Sequence, residues 1–418
     1  METDVPFSIG GWLPDQETIG EWLTGVLTEM EQETEGWRRP KPLHPVIREL
    51  KQFIDTTPEV YMLFRAMLWQ NRETKTPTKY PQVKDVDVLL QLFNRFMTRA
   101  PQWNDSGVVG FPFNAALNWP MGTHAGLSVF LNRQVNAHFK KMLNTWSTFL
   151  RSPDSRDVLT ADRGTGWFSE RALAEMKKRN GADFEDLFDC DPSKPYWGFA
   201  SWDDFFTRPF RAGKRPPAEG ADVIVNACES TPFRLSTNVE REALFWLKGQ
   251  PYSVAHMLDH HPLAEEFVGG TIYQAFLDAY AYHRWHSPVD GTIVGTRVVD
   301  GTYFSTSHLA GKDAAAPDKS QPYLTQVATR AMIFIEADNP AIGTMCALPV
   351  GMADVSSCDV TVYEGQRVAK GDQLGMFHHG GSTHCLMFRK GVDLTFEPQK
   401  FPGEKNVLLN AKLATVRK

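Results

Sequence analysis

Nine residues near the carboxyl end, FHHGGSTHC (Phe377 to Cys385), bring together Ser382, Thr383, Cys385 and the histidines His378, His379 and His384. A serine hydroxyl becomes a nucleophile when a neighbouring base takes its proton, and histidine is the usual base near neutral pH. The same Gly-Gly-Ser-Thr run also reads as a turn, because glycine supplies positive φ and serine caps locally. Its apolar flanks, GMF before and CLMF after, argue for burial. Two further stretches carry residue types that could serve Ser382. AYHRWHSPVDG (Ala281 to Gly291) places His283 and His286 three apart, on opposite faces if extended and on one face if helical. ACES (Ala227 to Ser230) carries Glu229, for which a surface position is the ordinary reading. Glu229, His286 and Ser382 supply the types of an acid–base–nucleophile triad. The G-x-S-x-G elbow of α/β-hydrolases is absent, because His384 stands where its second glycine would be. No further ligand follows His283 and His286 at a metal-binding spacing, so no metal is assigned. Residue types alone leave a triad and a set of buried, hydrogen-bonded histidines as alternatives.

Two kinds of element must position these residues. The first half is patterned for helices. Ile19, Trp22, Leu23, Val26, Leu27 and Met30 form one stripe, and Val46, Ile47, Leu50, Phe53 and Ile54 form another after Pro45. Val88, Leu89, Leu92, Phe93 and Phe96 make a third, and the longest runs from Leu131 through Val135, Phe139, Met142, Leu143 and Trp146 to Leu150. In SWDDFFTRPF, Ser201 is the expected N-cap of a short helix with Asp204 at N3. Beyond Asp222 the texture turns strand-like: ADVIVNACES, GTIVGTRVVDG, RAMIFIEAD, SSCDVTVYEG, GVDLTFEP and NVLLNAKLATV are short, β-branched and bounded by turn residues. The expected fold is α+β, with a helical extension over residues 1–195 and a mainly antiparallel β catalytic domain over residues 196–418.

Composition narrows the function. A chain of 418 residues suits two domains, or one catalytic domain with a large extension. With 44 basic and 50 acidic residues the net charge is −6 and no basic stripe stands out, which excludes nucleic acid as an expected partner. Five scattered cysteines without a C-x-x-C pair read as reduced thiols. METDVPFSIGGWLPDQ has no targeting pattern, LATVRK has no lipidation signal, and no run nears the ~18 apolar residues of a spanning helix. A cytoplasmic chain without a stable membrane anchor is the expectation.

SWDDFFTRPF…KRPP, ACES, YHRWHSPVDGTI, GTYFS and EGQRVAKGDQLGMFHHGGST, in this order, resemble the phosphatidylserine decarboxylase family over roughly the last half of the chain. HPVIRELKQFIDTTPEV and HFKKMLNTWSTFLRSPDSRDVL resemble the extended fungal branch of that family, the L-tryptophan decarboxylases, over most of it. The resemblance implies that the proenzyme cuts itself between Gly381 and Ser382, leaving a β chain of residues 1–381 and an α chain of residues 382–418. It implies that Ser382 becomes a covalent pyruvoyl cofactor that takes the substrate amine as a Schiff base. In that scheme His286 is the base for Ser382, Glu229 orients His286, and His283 assists decarboxylation or protonation. The family's usual acid here is an aspartate followed by glycine, whereas this chain has Glu229 followed by Ser230.

The expected substrate is a free L-amino acid, aromatic and tryptophan first, with an aromatic pocket sought among Trp285, Phe377 and Tyr303. Phosphatidylserine, giving phosphatidylethanolamine, is the alternative, and an unprocessed Ser/His/Glu hydrolase a second. The expected partners are the amino-acid substrate and the chain's own α and β fragments, with a homo-oligomer left open.

Overall fold

Several helices of the first half start where side chains cap them. The computed structural model describes residues 16–73, 83, 85–103, 111–243, 250–277, 280–307, 320–354, 357–379, 381–403 and 405–417. Within these, α1 (Gln16–Glu33), α2 (Pro45–Thr56), α3 (Pro58–Glu73), α4 (Val86–Phe96), α5 (Pro112–Met121), α6 (His124–Leu131) and α7 (Arg133–Leu150) pack together. Asp85 caps α4 by accepting from Asp87 N–H, and Thr123 caps α6 by accepting from Gly126 N–H. The long stripe expected from Leu131 to Leu150 is broken at Asn132. That side chain accepts from Gln134 and Val135 N–H as the cap of α7, so Leu131 ends the preceding helix and is exposed. Then come α8 (Glu170–Asn180), α9 (Phe184–Leu187) and α10 (Trp202–Phe206). Ser201 caps α10 as expected, accepting from Asp204 N–H at 3.1 Å, while Asp204 reaches back to Ala200 N–H at 2.9 Å.

The second half runs β1 (Val223–Val225), β2 (Thr231–Thr237), α11 (Val254–Met257), α12 (Ala264–Phe267), β3 (Thr271–Leu277), β4 (Arg284–His286), β5 (Gly291–Val299), α13 (Gln321–Val327), β6 (Arg330–Ala337) and β7 (Thr344–Met352). It closes with β8 (Ser357–Val360), β9 (Arg367–Val368), β10 (Gln373–His378), β11 (Gly381–Phe388), β12 (Leu394–Phe396) and β13 (Lys412–Val416). Among the described residues a seven-stranded antiparallel sheet has the order β2-β3-β11-β7-β6-β5-β9. Two three-stranded sheets, β4-β10-β8 and β1-β13-β12, are likewise antiparallel.

Alternation along the large sheet sorts its side chains between two cores. Tyr273, Ala275, Leu277, Ile333, Ala347 and Leu386 pack with Trp285, Leu374 and Phe377 of the β4-β10-β8 sheet. Ile272, Phe276, Phe334, Leu348, Cys385 and Met387 pack with Val254, Met257, Phe267 and Leu324 of the short helices. Gly375 permits the first arrangement, because a Cβ there would lie 2.3 Å from the Asp359 carbonyl and 2.6 Å from the Trp285 ring. Trp285 and Phe377 therefore belong to this sandwich core, and Tyr303 belongs to the helical core. The aromatic pocket expected from these three is not formed.

Candidate active site

The strand β11 opens at Gly381 and Ser382, between two long neighbours. Ser382 pairs with Leu277 of β3 and Gly351 of β7, is fully buried, and its Oγ has no hydrogen-bond partner among the described residues. The next residue is used structurally. Thr383 Oγ1 donates to the Ala275 carbonyl at 2.9 Å and accepts from Gln274 Nε2 at 3.1 Å. A buried hydroxyl without a partner costs about 1–3 kcal/mol. Ser382 carries that cost at the end of a well-paired strand, directly after Gly381. Gly380 lies outside the described residues.

His286 closes β4 and is held from both sides. Its Nδ1 lies 2.7 Å from the Gly371 carbonyl and its Nε2 lies 2.9 Å from the Tyr282 hydroxyl. A carbonyl only accepts, so the network assigns the proton to Nδ1 and leaves the Nε2 lone pair facing the phenol. Gly371 has φ +89°, a turn conformation that aims its carbonyl at the ring and that a side chain would strain. Burial lowers the pKa of His286, with the Gly371 contact opposing, so the ring is a neutral base near pH 7.

Glu229 does not touch His286. Its Oε1 accepts from Arg215 Nη2 at 2.7 Å, and its Oε2 accepts from Leu409 N–H at 2.6 Å. The carboxylate is completely buried, with Arg215 almost so. The expected orienting contact is thus replaced by two others, Gly371 and Tyr282. Glu229 still acts on the same neighbourhood. Burial raises the Tyr282 phenol strongly, Arg284 opposes, and the negative charge of Glu229 adds to the rise. His286 N–H also donates to the Ala227 carbonyl at 2.9 Å, which ties β4 to the segment carrying Glu229. Sequence reasoning missed Tyr282 and Arg215, although both lie inside the quoted motifs YHRWH and KRPP.

His283 is buried with its ring stacked on Phe206 at 4.0 Å, and its carbonyl accepts from Phe377 N–H at 2.9 Å. The three histidines around Ser382 have three different environments. His378 Nδ1 donates to Asp203 at 3.0 Å and Nε2 donates to Asp359 at 3.2 Å. Burial works against its charge, but the two carboxylates more than offset it and the pKa is raised. His384 Nε2 meets Ser230 Oγ at 3.1 Å, and Ser230 in turn donates to the Cys228 carbonyl at 3.0 Å. Ser230, which stands where the resemblance expects glycine, thereby satisfies a histidine beside Ser382.

His379 sits in an aromatic box. Trp146 and Trp202 meet its ring edge-on at 4.4 and 4.7 Å, with Phe206 at 5.6 Å and Phe111 at 6.3 Å. Neither ring nitrogen has a hydrogen-bond partner among the described residues, and φ is +54°. Burial depresses both His379 and His384 to about 3.

Fold and site define an α+β protein in which an interior strand of the large sheet opens at a glycine followed by a serine whose buried hydroxyl has no partner among the described residues. Two sequence profiles, both described as phosphatidylserine decarboxylase, match residues 44–176 and 202–413. The chain is 39% identical over 403 residues to the L-tryptophan decarboxylase of Psilocybe cubensis, covering 91% of this chain and 88% of that protein. It is 43% identical over 328 residues to decarboxylase iboD of Amanita muscaria, covering 74% of this chain and 92% of that protein. It is also similar to phosphatidylserine decarboxylase proenzyme 3 of Schizosaccharomyces pombe, 30% identical over 256 residues, 61% of this chain and 24% of that protein. The chain belongs to the phosphatidylserine decarboxylase family. It is a carboxy-lyase of the family's fungal branch.

Proposed function

We propose that this decarboxylase cuts itself between Gly381 and Ser382, converts Ser382 to a pyruvoyl group, and removes CO₂ from a free aromatic L-amino acid, tryptophan first. The observation that carries the reading is the buried Ser382 hydroxyl, unbonded at the start of β11 and adjoining Gly381. A serine kept for packing would find a partner, as Thr383 does. Those features fit the precursor of a pyruvoyl group.

The cut is assigned to the chain's own residues. Ser382 Oγ adds to the Gly381 carbonyl as a base takes its proton, and the C–N bond breaks to leave an ester and a free amine. Removal of the Ser382 Cα proton expels the Gly381 carboxylate and leaves dehydroalanine. Its imine tautomer takes up water and releases ammonia, leaving the keto group. His286, neutral and with its lone pair on Nε2, is the base of suitable chemistry. The finished group supplies a carbonyl that condenses with the substrate amine and accepts the electron pair left by CO₂. His283 takes the role of holding or delivering a proton, which its stacking on Phe206 and its exclusion from solvent support. The likeness to L-tryptophan decarboxylases over most of both chains supports an aromatic amino acid over phosphatidylserine.

Denaturing mass measurement tests the reading. Two fragments, the smaller beginning at residue 382 with a blocked end, are expected, and Ser382→Ala should give one 47.2 kDa chain without activity. A wild-type chain that stays whole while releasing CO₂ would falsify it. CO₂ release from free amino acids against phosphatidylserine vesicles then decides the substrate.

A further inference from the structure

The aromatic box around His379 is built mainly by elements that have no part in holding Ser382. Trp146 comes from α7, Trp202 and Phe206 from one face of α10, and Phe111 from the N-cap of α5. Phe206 also stacks on His283 at 4.0 Å, so the box is one ring away from the histidine to which the proposed function gives the proton transfer. His379 precedes Ser382 by three residues, which limits the separation of their Cα atoms to roughly 10–11 Å. The histidine inside the box is thus tied by the chain to the neighbourhood of the reacting serine.

Its present occupant fits it poorly by chemistry, though well by shape. An imidazole has two polar nitrogens, and here both are buried without a partner among the described residues. The backbone at His379 is left-handed, φ +54°. A phenyl ring would make the same edge-on contacts without those losses, and an indole would bring one polar nitrogen in place of two. The preceding residue is, in contrast, firmly tied: His378 bridges Asp203 of α10 and Asp359 of β8. Chain continuity from this anchor into β11 is what places the imidazole between the indoles. The proposed cut at Gly381–Ser382 would remove that continuity and make Gly381 a chain terminus three residues beyond the anchor.

We infer that His379 plugs the substrate's side-chain subsite in the uncut chain, and that the cut lets it withdraw so that the Trp146–Trp202–Phe206–Phe111 box receives the aromatic ring of the amino acid. The inference rests on the self-cleavage reading and adds the location of the ring-binding subsite. It also gives the cut a second consequence: the chemical group and the place for its substrate appear together.

The test uses 3-methylindole, which has the side chain of tryptophan but no amine to condense. Binding is measured by calorimetry on the processed protein, on Ser382→Ala, and on Ser382→Ala/His379→Gly. The processed protein should bind at least about tenfold more tightly than Ser382→Ala, and the double variant should recover most of that difference. With tryptophan as substrate, 3-methylindole should raise KM and leave kcat unchanged. Equal binding by processed protein and Ser382→Ala overturns the inference, and this comparison stands even if the double variant does not fold. A folded double variant no better than Ser382→Ala overturns it as well. Masses of the same samples separate the two readings. An uncut wild-type chain removes both, whereas a cut chain that decarboxylates tryptophan without competition from 3-methylindole removes only the subsite.

Discussion

Each histidine near the serine has its state set by what its nitrogens touch. His286 is oriented by a carbonyl and a phenol, and Glu229 adds its negative charge to the field at Tyr282. Tyr282→Phe and Glu229→Gln should therefore each slow self-cleavage, by roughly tenfold, and the double variant should be little slower than either. Time courses of chain cutting measure this, and additive effects would show that Glu229 acts by another route. Acid behaviour follows from His379 and His384. Both are depressed to about 3 by burial, so the unfolded chain takes up protons below its ordinary value of 6.5 that the folded chain refuses. Their contribution to stability is complete above that value and is lost as pH falls towards 3. The urea midpoint of Ser382→Ala should drop between pH 7 and pH 5, and a flat profile would contradict their burial as neutral rings. His378 has the opposite sign, since its raised pKa makes its anchor strongest on the acid side. How much of this was legible beforehand differs by residue. Ser382, His283, His286 and Glu229 stand out by type and motif. Their partners did not, because Gly371 and Arg215 act through turns whose geometry no local pattern reveals.

At the level of elements, the site depends on strands that sequence periodicity could not resolve. The helical stripes are readable because one face of each helix is wet. β7, TMCALPVGM, is buried along its whole length, so it has no polar–apolar alternation to read, and Pro349 argues against a central strand. The structure accommodates that proline where the β6–β7 pairing skips from Val350 to Ala347. β3, TIYQAFL, is hidden for the same reason, with both faces covered. These are the two neighbours of β11, so the setting of Ser382 emerged only with the fold. The Arg215–Glu229 pair offers an element-scale test. It pins the segment after α10 to the β1–β2 connection in a place closed to water. Arg215→Met should cost about 3–5 kcal/mol by stranding a buried carboxylate, and adding Glu229→Gln should recover part of it. Urea unfolding of the uncut Ser382→Ala chain measures both, and a loss under 1 kcal/mol would mean that water reaches Glu229.

Over the whole molecule, the helical half and the sheets share one interior. Tyr280, Tyr282, Tyr303, Phe304 and Leu409 from the second half pack in the helical core. Asp354, after β7, accepts from Phe113 and Asn114 N–H at the start of α5, at 3.2 and 2.9 Å. Asn136 of α7 accepts from Tyr303 N–H at 3.2 Å. Residues 196–418 expressed alone should therefore fail to unfold cooperatively and should not cut themselves. A truncated chain with a sharp thermal transition and two fragments would show that the helices are dispensable.

The position of β11 has a consequence for the finished enzyme. Residues 382–418 supply β11 near the middle of the large sheet and both β12 and β13 of a smaller one. If the proposed cut at Gly381–Ser382 is made, nothing covalent holds these strands in place, and losing the fragment would split the large sheet in two. Unfolding then changes molecularity. The uncut chain melts as one species, at a temperature independent of protein concentration, whereas the cut enzyme melts into two and should gain stability on concentration. Refolding becomes a second-order search in which β3 and β7 must find a missing strand between them, and dilution makes that search fail. On the proposed self-cleavage, the enzyme is assembled while it is still one chain, and a molecule that unfolds afterwards has lost the connection that built it.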